Sequence, residues 1–131
     1  MNLPEEKITA GRLLLEKLDE SNRKVAVALW LCLPDTSSWK FGLYFPDIEK
    51  DGSRLAYSIV QKALGQLQGS VLKLEEVILF KRNTPYLNDL GSFIQTGEGI
   101  SGLVFSGNVI NGRILPDSYI YRVNLRHSSR S

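Results

Sequence analysis

Residues 25–33 read Val-Ala-Val-Ala-Leu-Trp-Leu-Cys-Leu, a run of nine apolar residues. A helix needs roughly 20 apolar residues to cross a bilayer, so this run is too short to be a membrane span. A strand that is apolar on both faces needs other elements packed against each face. The run therefore predicts the central strand of a covered sheet.

The segments next to this run predict a helix before it and a hairpin after it. Residues 4–20 have a proline in the first turn and apolar residues at helical spacing, which predicts the helix. The turn-forming residues 34–38 are followed by aromatic, roughly alternating residues 39–45. This order is typical of two antiparallel strands joined by a turn.

The second half of the chain alternates between helix and strand patterns. Apolar spacing predicts a helix over residues 53–68, and Thr84 with Pro85 is a typical start for a short helix, which we expect to end near Gly97. Strand patterns occur at 76–81, 102–106 and 118–124. A right-handed helical crossover would place the first of these strands parallel to its predecessor, and antiparallel pairing is the alternative. Asn111-Gly112 favours a hairpin turn between the last two.

These elements predict an α+β fold in a single domain, residues 1–125, with the order α-β-β-α-β-α-β-β. We expect one mixed, mainly antiparallel sheet of about five strands with two longer helices and one short helix. A chain of 131 residues is about the size of one ordinary domain. Residues 126–131 contain no apolar anchor, so we expect a frayed basic C-terminal tail there.

The composition disfavours several classes of function. Sixteen Lys and Arg residues against fourteen Asp and Glu leave a net charge of +2, which by itself argues neither for nucleic acid nor for an anionic membrane. The single cysteine, Cys32, and the single histidine, His127, cannot build a zinc site or a catalytic triad. Residues 1–7 do not resemble a secretory leader. We expect a soluble cytoplasmic protein with no membrane partner.

The acidic loop 47–51 is a candidate ligand site. Asp47, Glu49 and Asp51, together with Asp35, could supply oxygen ligands of the kind that Mg²⁺ or Ca²⁺ prefers. Their spacing is not that of a calcium-binding loop, and solvated turn and capping residues explain them well. We predict no catalytic residue, no metal site and no cofactor, and we keep this loop for the alternative of a small enzyme or ligand binder.

Residues 97–102, Gly-Glu-Gly-Ile-Ser-Gly, match the spacing of a dinucleotide-binding loop. In that loop the glycines follow a strand and open a helix, whose positive end meets the pyrophosphate. Here they follow a helix and enter a strand, so a helix end with a flexible turn is the main interpretation. An anion bound by the main chain at Gly97, Gly99 and Gly102 is the alternative.

Aromatic and basic residues alternate near the C-terminus. Tyr119 and Tyr121 would share one strand face, as the stacking of nucleic-acid bases on a sheet requires. The charges of Arg122 and Arg126 would add affinity for phosphate. Tyrosines with rings in the core are the ordinary interpretation. Nucleic-acid binding through these four residues is kept as an alternative function.

The first hairpin carries the densest group of aromatic residues. Any of them that the sheet does not bury would form an exposed apolar patch, and such patches mark partner surfaces. Core packing is the competing explanation. Because catalytic residue types are scarce, we expect a non-enzymatic protein that acts through a protein partner or by self-association, with Trp39, Phe41 and Tyr44 as candidate contacts.

Overall fold

The computed structural model describes residues 3–48, 51–107, 109–110 and 112–125. The helices are α1 (Glu5–Glu20), α2 (Ser53–Gly65) and α3 (Pro85–Phe93), and a 3₁₀ turn spans Leu74–Glu76. The strands are β1 (Val27–Cys32), β2 (Trp39–Tyr44), β3 (Val77–Leu79), β4 (Leu103–Phe105), β5 (Val109–Ile110), β6 (Arg113–Ile114) and β7 (Ser118–Val123).

The main sheet has five strands in the order β3-β2-β1-β7-β4. β1 pairs antiparallel with β2 and β7, and β4 pairs antiparallel with β7. β3 pairs parallel with β2, as expected for a strand reached through a helical crossover. The predicted α+β fold, its element order and its mixed, mainly antiparallel sheet are confirmed, with the apolar run of residues 25–33 supplying the central strand.

Each face of the sheet carries its own core. α1 and α2 pack on one face, where Trp30 and Phe41 are fully buried. α3 packs on the other face against Leu29 and Ile120, which are also fully buried. Successive side chains of a strand point to opposite faces, so an apolar sequence without alternation is what a sheet covered on both sides requires.

α1 lies unusually close to the sheet because Gly11 has no side chain. A Cβ placed at Gly11 would lie 2.8 Å from both Phe41 Cε1 and Trp30 Nε1. At the same place Trp30 Nε1 donates a hydrogen bond to the carbonyl of Lys7 at 3.2 Å, and the Tyr121 hydroxyl donates one to the carbonyl of Ile8. The polar ends of two buried rings are thereby satisfied by the helix main chain.

Two helices end earlier than the sequence predicts. α2 stops at Gly65 rather than Gln68, because the next amides bond three residues back and tighten the last turn. α3 stops at Phe93 because the following chain runs beside β7. There the Thr96 amide donates to the Val123 carbonyl at 2.8 Å, and the Val123 amide donates to Thr96 Oγ1 at 2.9 Å. These non-local bonds compete with helix continuation.

The predicted hairpin between 102–106 and 118–124 contains an inserted arm. We call β5 and β6 the arm: they form a separate two-stranded ribbon, with Val109 opposite Ile114, between the paired strands β4 and β7. Gly112 lies in its turn with φ of 76°, a conformation that glycine adopts without strain. The predicted tail, residues 126–131, lies outside the described residues.

Candidate functional site

The three aromatic residues proposed as partner contacts lie mostly inside the fold. Phe41 is fully buried and Tyr44 is nearly so, whereas Trp39 is half-buried. The Phe41 ring makes edge contacts with Trp30 at 5.2 Å and with Tyr121 at 6.0 Å between centroids. The side chains of Phe41 and Tyr44 fill the two cores, so they offer little surface to a partner.

Most of the residues proposed for nucleic-acid binding that the structure describes are also buried or half-buried. Tyr121 is buried, and Tyr119 is half-buried with its ring 5.3 Å from that of Tyr121. Arg122 is 5% exposed. Arg126 lies outside the described residues. Of this set, Tyr119 alone presents a substantial part of its side chain to solvent within the described chain.

Arg122 is bound by groups of the protein itself. Its guanidinium donates two hydrogen bonds to the Asp19 carboxylate, at 3.0 Å and 2.8 Å, so that β7 is tied to the end of α1. It also donates to the carbonyls of Val25 at 3.1 Å and Gly99 at 3.2 Å. A guanidinium used in this way is a structural clamp, with little donor capacity left for a phosphate.

The glycine turn is held by the same clamp. Gly97 adopts φ of 80°, and the Gly99 carbonyl accepts the bond from Arg122, so the turn directs an acceptor towards the guanidinium. A Cβ at Gly102 would lie 2.5 Å from the Tyr119 hydroxyl oxygen. Backbone freedom and close packing therefore account for Gly97 and Gly102 without an anion.

The acidic side chains that the structure describes in this loop are open to solvent. Asp35, Asp47 and Asp51 are exposed, Ile48 is buried in the first core, and Glu49 lies outside the described residues. Among residues 3–48, 51–107, 109–110 and 112–125, no three His, Cys, Asp or Glu side chains are grouped to hold a metal ion. An adjacent cleft of about 200 Å³, lined by Phe45, Ile48, Ala56, Leu79, Phe80 and Lys81, is smaller than a usual small-molecule site.

Two buried tyrosines are poorly suited to acid-base catalysis. Burial raises the pKa of Tyr86 to about 12, although a hydrogen bond with Ser118 opposes the shift. Burial also raises the pKa of Tyr121, with a smaller opposing effect from the nearby indole N–H of Trp30. A general base works best with a pKa near the operating pH, so both hydroxyls stay protonated at neutral pH.

Most of the exposed large apolar residues of the described chain lie in one stretch of sequence around β4. Seven large apolar residues of the described chain are exposed, and five of them lie between positions 93 and 114. We call these five the β4 surface: Phe93 (59% exposed), Leu103 (40%), Val104 (60%), Val109 (63%) and Ile114 (80%). Concentration in one stretch, rather than scatter over the surface, is what distinguishes a partner site from ordinary exposure.

β4 is the last strand of the sheet on this side. Within the described ranges it pairs with β7 alone, so one side of its main chain has no strand partner. Leu103 and Val104 are adjacent and lie on opposite faces of the strand. The surrounding residues 99–112 contain no Lys, Arg, Asp or Glu. Such an edge lacks the charges and prolines with which proteins normally prevent strand addition.

The arm, which follows β4 in the chain, is fixed against α3. Arg113 of β6 donates two hydrogen bonds to the buried carboxylate of Asp89 on α3, at 2.7 Å and 3.1 Å. These bonds, together with the charge of Asp89, raise the pKa of the Arg113 guanidinium. Phe93 of α3 contacts Phe105 of β4 with ring centroids 5.6 Å apart. The arm thus holds Val109 and Ile114 on one outward face.

Comparisons with family models, with curated proteins and with solved structures give no match for this chain. None of the helices within the described ranges has the length and apolar character needed to span a membrane. Sequence reasoning did not single out the β4 surface. The signal available to it was the absence of charge from residues 99–112, but the position of a strand at a sheet edge is not visible in its own sequence.

Proposed function

We propose that this chain is a non-enzymatic cytoplasmic module that binds protein through the free edge of β4. The observation that carries the proposal is the coincidence, on one strand, of a main-chain edge with no strand partner among the described residues and two exposed apolar side chains, Leu103 and Val104. An open edge is a template for a strand from another chain. Main-chain hydrogen bonds supply affinity in that mode, and side-chain contacts supply specificity.

The arm and α3 support the same surface. Phe93 contacts Phe105 of β4, Val109 and Ile114 are exposed on the arm that follows β4 in the chain, and the bond between Arg113 and Asp89 keeps the arm in place before a partner binds. Preorganisation of this kind reduces the loss of conformational entropy on binding. A partner strand would therefore meet a surface that is already formed.

A photoreactive amino acid at position 104 tests this proposal in extract from the native host. We expect illumination to produce a covalent adduct with a protein, because Val104 lies on the proposed edge. The same amino acid at Leu13, which is 42% exposed on α1, is the matched control and is expected to give little adduct.

The same experiment distinguishes the alternatives. An adduct with a second copy of the chain would also support binding at the β4 edge. An adduct that nuclease digestion removes would favour the nucleic-acid function instead. The proposal fails if position 104 gives no protein adduct, or if positions 104 and 13 give equal amounts.

A further inference from the structure

We infer that the strand added to β4 is the β4 of a second copy of this chain, related by a two-fold axis. The inference rests on the proposed function, because it names the partner at the same edge. Each chain contributes a five-stranded sheet. Pairing of the two β4 strands would join them into one continuous sheet.

The charge pattern favours a second copy over a charged peptide. In a two-fold interface the same patch meets itself, so any charge near the axis faces a like charge. Residues 99–112 contain no charged side chain, so self-pairing meets no repulsion along this stretch. A basic or acidic partner strand would find no opposite charge on β4.

The direction of the neighbouring strands is also compatible with a two-fold axis. β1, β7 and β4 are successively antiparallel, and a two-fold axis at Val104 perpendicular to the sheet adds an antiparallel strand next. With Val104 at the axis, it faces its own copy on one side of the sheet. On the other side Leu103 faces Phe105 of the second copy. Contacts between apolar and β-branched residues across strands stabilise such pairs.

A pair of three-residue strands is too small to hold a dimer alone, since stable interfaces bury roughly 1,000 Å² or more. The additional apolar area comes from Phe93 and from the arm residues Val109 and Ile114, which are all more than half exposed in the single chain. The dimer therefore includes the whole β4 surface rather than the strand edge alone.

Light scattering of the purified full chain, over concentrations from about 1 µM to about 1 mM, tests the inference. We expect the mass to rise from the 14.7 kDa of one chain to twice that value. Val104→Lys is expected to keep the single-chain mass throughout, because two ammonium groups would meet at the axis. Leu13→Lys, an equally drastic change at an exposed site on α1, is expected to behave as the unchanged chain.

A charge-swap pair controls for misfolding. Val104→Lys and Val104→Glu are each expected to be single chains, whereas an equimolar mixture of the two is expected to recover the double mass. Recovery requires position 104 of one chain to lie near position 104 of the other. The inference is overturned if the unchanged chain keeps the single-chain mass at every concentration, or if the mixture does not associate.

The experiments distinguish failure of the proposed dimer from failure of the proposed protein-binding edge. If the purified chain stays single while cross-linking from position 104 captures another protein, the dimer is excluded and the protein-binding edge stands. If neither association nor a protein adduct is found, both proposals fall.

Discussion

At one edge of the sheet, β3 lies in a stretch from Lys73 to Arg82 in which five of ten residues are charged, whereas β4 at the other edge lies in 14 residues without a charge. The two edge strands are equally short, with three residues each. β3 and the 3₁₀ turn before it are also tied to neighbouring elements. The Tyr57 hydroxyl donates to the Val77 carbonyl of β3, and Lys40 Nζ donates to the Glu75 carbonyl of the turn, both at 3.4 Å.

This difference indicates that the edge at β3 is protected against the addition of another strand and that the edge at β4 is not. Charged residues and side-chain contacts at β3 discourage another strand from adding there, which is the usual protection of a sheet edge. The side chains of β3 are also half-buried or buried, whereas Leu103 and Val104 of β4 are exposed. We therefore expect substitutions at β3 to affect folding and substitutions at β4 to affect association.

A lysine placed at each edge gives the largest expected contrast in stability. Ile78→Lys is expected to lower the free energy of unfolding by about 2 kcal/mol, because Ile78 packs against the second core. Val104→Lys is expected to change it by no more than about 0.5 kcal/mol. Urea unfolding of dilute protein, where association does not contribute, measures both values. Equal losses for the two variants would show that β4 is as much part of the core as β3.

Gly42→Ala is expected to have the next largest effect. Gly42 of β2 pairs with Ile78 of β3, and a Cβ at Gly42 would lie 2.6 Å from Phe80 Cζ. Because the ring must move, we expect a loss of about 1 to 2 kcal/mol in the free energy of unfolding. Alanine normally stabilises a strand relative to glycine by roughly 0.5 to 1 kcal/mol, so a gain in stability would contradict the close contact between Gly42 and the Phe80 ring.

The Phe80→Leu background supplies the control for this prediction. Leucine is smaller than phenylalanine, so the cost of Gly42→Ala should fall in that background if the clash is with the Phe80 ring. A cost that is unchanged would assign the loss to the strand main chain instead. The coupling between the two substitutions is read from a double-mutant cycle of unfolding free energies.

The smallest expected effect is the pH dependence of the stability that Glu76, just before β3, contributes to the fold. Burial would raise the pKa of Glu76, but hydrogen bonds from Lys7 Nζ at 2.6 Å and the Lys73 amide at 3.0 Å outweigh it, and the pKa lies below its ordinary value of 4.5. The stabilisation of the folded chain by the ionised Glu76 carboxylate is therefore complete above pH 4.5, and it is lost as the pH falls through the pKa that Glu76 has in the folded state.

Glu76→Gln is accordingly expected to lower the free energy of unfolding by at most about 1 kcal/mol at neutral pH, because the pair is partly exposed. The difference from the unchanged chain should shrink in acid and in high salt. Glu75→Gln, which removes the carboxylate of the preceding residue instead, is the control. A difference that stays constant from neutral to acidic pH would show that the carboxylate charge is not the cause.

The sequence predicted the element types well because their signals are local. Apolar spacing located α1 and α2, and the uninterrupted run at 25–33 identified the central strand and its two covered faces. The candidate contacts were harder to place. The residue types of Phe41 and Tyr44 do not show whether these side chains are buried or exposed. Likewise, the charge of Arg122 does not show whether it binds a phosphate or the carboxylate of Asp19, which is 103 residues away in the chain.

The sequence by itself predicted a covered α+β sheet, because a nine-residue apolar run that is followed by turn-forming residues is too short for a membrane span and is typical of a strand covered on both faces. It also determined that residues 99–112 carry no charge. The tertiary structure alone decided that β4, which lies within this stretch, is an edge strand that pairs with β7 alone in the part of the chain that the structure describes. Strand order depends on pairings between segments that are distant in the chain. The residues of a strand therefore do not show whether it pairs with other strands on one edge or on both.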